Sequence, residues 1–246
     1  MKISTIFRVI WHLPKTLYFN FHYLPFAEAC KLPVVFISKV HLAQLKGTIS
    51  FSAPVTTAMV IVGSKGNVLY RQDTASCVWA NYGGEVRFGK RVEFCDGIAL
   101  EIGQQGHLSF GDNVYFGPMV RMACYDSIEI GANSRVAWEC IILDTDFHST
   151  IDIKTGNHSA ITKPVKIGKN NWIGIRCFVM KGTQTPDFCI ASGYSLINKK
   201  FDIPNYSLIG GIPAKFLKEG LYRDLRSHVN ATTQKKYDIA DGKTNS

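Results

Sequence analysis

The chain is short of most features that would announce a class. Its seven cysteines, at 30, 77, 95, 124, 140, 177 and 189, include no Cys-x-x-Cys pair. An odd number without that spacing argues against a zinc knuckle or a disulfide framework and for small buried thiols in a reduced compartment. No apolar run approaches the roughly 20 residues that span a bilayer. The apolar stretch over residues 3–29 is interrupted by Arg8, Pro14, Lys15 and Pro25. No small-residue cleavage site follows a continuous apolar core, so that stretch does not read as a secretory signal. It reads instead as one or two helices lying on a membrane surface or on the protein itself. The net charge of +9 and pI near 9.2 come without a dense Lys/Arg cluster or a helix-turn-helix or RNA-binding signature. Nucleic acid is therefore disfavoured, while scattered surface lysine or an anionic ligand, such as a phosphorylated cofactor or a lipid headgroup, accounts for the charge.

What the chain does have is core-forming material with an unusual period. Its 246 residues are 46% hydrophobic and 12% aromatic, enough for one large domain with a substantial interior. Counting in sixes gives Phe88, Phe94 and Leu100, then Phe110, Phe116, Met122 and Ile128, then Ile130, Val136 and Ile142. After an interruption the count resumes at Ile167, Ile173 and Val179 and fades through Thr185, Ala191 and Ile197. A helix repeats at 3.6 residues and a simple strand at 2.0, so neither sustains sixes. The period predicts an all-β parallel β-helix, in which three short strands close one triangular coil of about eighteen residues. An aliphatic side chain points inward, and a small residue beside it lets the backbone turn the corner. Two slips of register, near Leu100 and Ile128, require extra residues at some corners. The less regular stretch over residues 45–87, with Ile49, Phe51, Val60 and Val62, extends the stack to seven or eight coils.

These patterns divide the chain into an N-terminal apolar, helical segment (1–44), the β-helix (45–217) and a C-terminal helix with a polar tail (218–246). The helix is expected over residues 216–229. A polar excursion at 149–164 breaks the column, and long loops in compact repeat folds are usually functional or disordered. It begins directly after Asp144-Thr145-Asp146-Phe147-His148. A histidine on a rigid rung beside two carboxylates is suited to general-base chemistry, because imidazole takes up and releases a proton near neutrality. Asp144 or Asp146 is a candidate for orienting the ring. Arg121 and Glu139 are candidates for the acceptor side, with a solvated rung face as the plainer account. Cys140 and Cys177 flank the region, but no basic group activates either as a nucleophile.

Three segments carry a resemblance to a known family: residues 144–148 (DTDFH), 164–174 (PVKIGKNNWIG) and 209–215 (IGGIPAK). In order and spacing they resemble hexapeptide-repeat acyltransferases, among them galactoside and maltose O-acetyltransferases and the enzymes of bacterial surface-polysaccharide synthesis. The likeness is strong over about residues 85–220 and weaker over 20–85. It implies a left-handed parallel β-helix, a homotrimer, and acetyl-CoA lying between neighbouring columns with no metal. It also implies His148 as the base. The implied cofactor contacts are Ile175 and Gly193 through backbone groups, then Asn198 and Lys199. Gly174 is a further candidate for the cofactor, and Trp172 is a candidate for packing on the pantetheine arm, with plain packing on the column exterior as the alternative. Lys215 and Lys218 fall where the family often has arginine near the phosphates. Ser192-Gly193-Tyr194 also departs from the family's commoner Gly-Ala-Gly.

The expected activity is O-acetylation of a sugar or surface-polysaccharide hydroxyl in the cytoplasm, with contact between the N-terminal segment and the inner face of the membrane left open. The alternatives are N-acylation of a nucleotide-linked amino sugar, a zinc lyase drawing on His107, His148 and His158, and a non-catalytic scaffold.

Overall fold

A computed structural model of the chain describes residues 3–65 and 75–224. Short strands run in order into three sheets of nine, seven and five strands. The seven-stranded second sheet counts seven coils, and the third face continues past its fifth strand only as single bridges, Lys166 to Gln184 and Gln184 to Lys200. Among the described residues every strand pair is parallel except the last.

The six-residue period becomes vertical columns of side chains. On the first face Phe94, Phe116, Val136, Ile173, Ala191 and Ile209 align in register. On the second face Trp79, Leu100, Met122, Ile142, Val179 and Ile197 do the same. The third carries Ile49, Val86, Leu108, Ile128 and Val165. All of these are buried. Parallel strands stack at about 4.8 Å, which brings like side chains into contact with like. Phe88 therefore stacks on Phe110 at 5.5 Å between ring centroids and Phe94 on Phe116 at 5.0 Å, with edge-on contacts between the two pairs. Such aromatic pairs contribute roughly 0.5–1.5 kcal/mol each beyond the area they bury.

The register slips have two physical origins. Strands Ala99–Ile102, His107–Phe110 and Ser127–Ile130 each turn two alternate residues inward, so the inward spacing there is two as well as six. The corner at residues 103–106 also carries extra chain.

The expected rule for corners holds at only one of the three. Between the second and third sheets, outside the long excursion, the left-handed positions are glycines, Gly47, Gly83 and Gly182. Between the third and first they are Ala58, then Arg91, Asn113, Asn133, Asn170, Phe188 and Tyr206. Between the first and second they are Gly97, then Met119, Glu139, Arg176 and Tyr194. An L-residue pays for this conformation, and a regular backbone bond offsets the cost. Asn133, Asn170 and Phe188 each donate their amide to a carbonyl of the rung above, as do Glu139, Arg176 and Tyr194. Many of the small residues beside the aliphatic positions serve stacking instead. A Cβ on Gly131 would lie 2.5 Å from the Gly168 carbonyl carbon, and one on Gly168 would lie 2.4 Å from the Pro186 oxygen.

Both ends depart from expectation. Strands Val34–Phe36 and Val40–Leu45 already pair within the column, ahead of the anticipated start at residue 45. Helix α1 (Ile3–Tyr23) closes that end, followed by the single turn α2 (Phe26–Ala29). The Asn20 side chain stands in for a missing strand: its amide donates to the Val34 carbonyl at 2.7 Å and its oxygen accepts the Val34 amide at 3.1 Å. Phe19 fills the cap, edge-on to Phe36 and Trp79. At the other end the helix expected from residue 216 is replaced by strand Ala214–Lys218, folded back antiparallel onto Leu208–Gly211. The open edge of the last rung offers unpaired backbone groups, and a turn at Gly211 and Pro213 returns the chain to satisfy them. The remainder of the expected helix, 225–229, and the tail lie outside the described residues.

Candidate active site

The long excursion leaves the column at the corner between the second and third sheets, after strand Ile141–Leu143, and returns at Val165–Ile167. It is an antiparallel arm. Thr145 bridges Thr162 and Ile151 bridges His158, and the Asp146 and Ser159 amides cross to the Ile161 and Thr150 carbonyls. His148 stands exposed near the arm's root. Phe147, immediately before it, adopts a left-handed backbone (φ 61°) that the Thr145 hydroxyl braces by accepting the Phe147 amide at 2.9 Å. The Phe147 ring packs edge-on against Tyr125 at 5.5 Å, fixing the arm to the rung above. The backbone bond and the ring contact together fix the residue that precedes His148.

The two carboxylates are committed elsewhere. Asp144 is fully buried, and its oxygens accept the Tyr125 and Asp126 amides at 2.8 Å each. Burial pushes its carboxyl above the ordinary carboxylate range, and those amide donors pull it back. Asp146 pairs with the Lys181 ammonium at 2.6 Å. Among the described residues neither hydrogen-bonds the His148 ring. Asp144 thus builds the turn that the arm leans on.

That turn borders a groove of about 580 Å³ lined by Gly83, Gln104, Gln105, His107, Tyr125 and Thr162, among others. The Tyr125 hydroxyl donates to the Glu101 carboxylate, and burial together with that carboxylate pushes the phenol up to about 12. His107 faces Glu85 at 3.3 Å on the groove's rim. Of the groove residues only His107 is singled out from the sequence, and there as a candidate zinc ligand rather than as part of an acceptor groove. A signal was present all the same, since the register slips at Leu100 and Ile128 flank this corner.

The cofactor candidates do not gather around His148. Asn198 and Lys199 share its corner two coils further on, both exposed, and the Lys199 ammonium lies 5.4 Å from the centre of the Phe201 ring. Gly174, Ile175 and Gly193 lie at a different corner, between the first and second sheets. Gly174 is compelled there by packing, since a Cβ would meet the Gly193 nitrogen at 2.5 Å. Trp172 is 38% exposed on the first face under the Arg223 guanidinium at 5.1 Å. Lys215 and Lys218 are exposed on the final antiparallel strand. Arg121 is exposed on the second face, and Glu139 is ion-paired with Arg176, which also donates to the Tyr194 hydroxyl.

The buried thiols fit no nucleophilic role. Cys140 donates to the Gly174 carbonyl at 3.0 Å and Cys177 to the Ser192 carbonyl at 3.1 Å. Contact between the two thiols pushes Cys140 up and Cys177 down, but both are buried away from any substrate. His107, His148 and His158 lie on a strand, at the arm's root and across the arm, and no group of three metal-ligating side chains converges among the described residues.

No protein-family model matches the chain. It is 34% identical over 135 residues to a protein of Mycobacterium tuberculosis named as a probable acetyltransferase, covering 54% of this chain and 44% of that one. It is 26% identical over 144 residues to WbbJ of Escherichia coli, named for O-acetyl transfer in lipopolysaccharide biosynthesis, covering 55% of this chain and 72% of that one. The chain thus spans less than half the length of the first of these relatives. In fold it is similar to the polySia-specific acetyltransferase NeuO, with a TM-score of 0.58 and 15% identity over 84% of this chain and 87% of that one. The resemblance to hexapeptide-repeat acyltransferases is met by these likenesses in sequence and fold.

Proposed function

We propose that the protein is an O-acetyltransferase that moves acetyl from acetyl-CoA to a hydroxyl of a sugar or surface polysaccharide. The observation that carries this reading is His148 at the root of an arm whose Phe147 packs on Tyr125, a wall of a groove large enough for a sugar, in a chain similar to proteins named for acetyl transfer. His148 takes the acceptor's hydroxyl proton as the oxygen attacks the thioester carbonyl. A backbone N–H stabilises the oxyanion. Collapse breaks the carbon–sulfur bond, and the coenzyme thiolate leaves with the proton that His148 held. The groove's amides, Gln104 and Gln105, and the Tyr125 ring supply hydrogen bonds and a flat face to the acceptor.

The separation of candidate residues between two corners supports a site shared by neighbouring copies. His148, Asn198 and Lys199 come from one column and Gly174, Ile175 and Gly193 from the next, in a homotrimer of left-handed coils. Lys199, Lys215 and Lys218 then meet the coenzyme phosphates as charge-assisted donors. We place the enzyme in the cytoplasm, where its thioester donor is made, with the N-terminal segment touching the inner face of the membrane.

The test is release of free coenzyme A from acetyl-CoA in the presence of glycan acceptors, with the product challenged by mild base. A base-labile acetyl group is expected, and a base-stable amide product would overturn O-transfer. Light scattering should give a trimer, and an active monomer at micromolar concentration would overturn the shared site.

A further inference from the structure

Helix α1 has two faces, and the column uses only one. Thr16, Phe19 and Asn20 are buried against the first coil. The charged side chains also turn inward: Arg8 donates to the Gly63 carbonyl at 3.0 Å and Lys15 to the Val40 carbonyl at 2.5 Å. Facing outward are Phe7 (70% exposed), Ile10 (60%), Trp11 (82%), Leu17, Tyr18 and Phe21. Within each group, 7–11 and 17–21, the spacing is three and four residues, and the step of seven between the groups, two helical turns with exposed Pro14 between them, keeps all six on one face of the helix. Phe26 of α2, edge-on to Phe21, prolongs it. Singly exposed apolar residues need no explanation, but a contiguous aromatic stripe marks a surface that another phase or molecule covers.

Charge identifies the occupant. The first 46 residues hold six Lys and Arg against a single acid, Glu28, and so carry more than half of the chain's net charge of +9. Lys31, Lys39 and Lys46 are exposed. The last two adjoin the backbone groups that hold α1, since Lys15 binds the Val40 carbonyl and the Tyr23 hydroxyl donates to the Lys46 carbonyl at 3.2 Å. Two copies meeting through this end would bring two basic surfaces together. An anionic surface meets no such repulsion. No described helix is long and apolar enough to cross a membrane, and α1 is held along its inner side by the column. The stripe therefore lies in the plane of an interface.

We infer that α1 seats the protein on an anionic lipid bilayer, the Phe7–Trp11–Tyr18–Phe21 stripe at the boundary between headgroups and acyl chains and Lys31, Lys39 and Lys46 against lipid phosphates. Aromatic side chains favour that depth, and juxtamembrane lysines contribute through the surface potential of acidic lipids. The inference deepens the membrane contact proposed above and does not depend on acetyl transfer.

The experiment is flotation of the full chain with phosphatidylcholine vesicles, with and without phosphatidylglycerol, at low and high salt. Binding should require the anionic lipid and fall at least tenfold when Phe7 and Trp11 are both replaced by serine. Because both side chains point away from the column, the melting temperature of that variant should match the parent. As a second variant, Lys31→Gln with Lys39→Gln should weaken binding to anionic vesicles and leave the stripe intact. Equal flotation of parent and serine variant would overturn the inference, as would equal binding to neutral vesicles. So would lipid-free self-association of the parent that the serine variant abolishes, which would assign the stripe to a second copy.

Discussion

At the corner joining the first and second sheets, Met119, Glu139, Arg176 and Tyr194 occupy successive rungs in one left-handed conformation, each bonded by its amide to the rung above. At the corner joining the second and third sheets no two successive rungs are alike. They read Gly83–Gly84, then the wider 103–106 turn, then Tyr125 and Asp126 held by Asp144, then the arm. The first corner minimises its cost by repetition, because identical geometry lets every rung satisfy the next. The second abandons repetition and must satisfy each backbone group by a local device, such as a buried carboxylate or a bridge across the arm. Irregularity there opens a groove and sends out the arm that carries His148. Regular corners build the column, and the irregular one holds the candidate chemistry.

The sharpest way to break that contrast is His148→Ala. Loss of a general base should lower kcat by about 10²–10⁴-fold, with melting temperature and coenzyme affinity unchanged. Activity within tenfold of the parent would remove His148 from the mechanism.

The regular part should respond in the opposite sense. Gly131→Ala forces a Cβ to 2.5 Å from backbone atoms of the next rung, a clash worth about 1–3 kcal/mol of stability. Thermal or denaturant unfolding measures it, and turnover per folded molecule should hold. An unchanged midpoint would mean the rungs are free to separate.

Asp144→Ala lies between the two. It leaves the Tyr125 and Asp126 amides without the acceptor they have now, which costs about 1–3 kcal/mol where such groups stay buried. Because the turn supports both Phe147 and the groove, acceptor KM should rise along with the loss of stability. A stability loss with unaltered KM would separate the turn from the acceptor.

Removing charge at Lys199 or Lys215 should weaken acetyl-CoA binding by an amount near the lower end of the roughly 1.5–3 kcal/mol of a charge-assisted bond, since both side chains are exposed. Calorimetry with coenzyme A and its dephospho form distinguishes contact with the 3′-phosphate from general attraction. Equal losses for both ligands would exclude that contact.

The smallest effect belongs to the regular corner's surface. Arg176→Gln removes an exposed ion pair with Glu139 and should leave the melting temperature within error, because solvent screens such pairs. A clear drop would show that side chains, as well as backbone amides, hold that corner together.

Much of the column was legible because its signal is local. Phe94, Phe116 and Val136 announce themselves by spacing and burial chemistry alone, and the polar run after His148 reads as a departure from the column without any structure. The helix expected from residue 216 was misread because Phe216 and Leu217 suit a helix or a strand equally well. The free edge of the last rung decided between them, and no local pattern contains that edge. The role of Asp144 was obscured for a similar reason. Its proximity to His148 along the chain suggested a partner for the ring, while its carboxylate reaches the amides of Tyr125 and Asp126 one coil earlier.

Recurrence along the chain sets the period, and through it a three-faced stack with an aliphatic interior, together with the histidine that follows the last rung before the break. Those depend on which residues recur, and recurrence is visible in one dimension. Tertiary structure alone decided which corner the arm leaves from, which glycines answer to a neighbouring rung and which to a turn, and that Asn20 would close the first edge as Ala214–Lys218 closes the last. Each of these depends on atoms a full coil or more apart in the chain, brought within hydrogen-bonding distance only once the rungs have stacked.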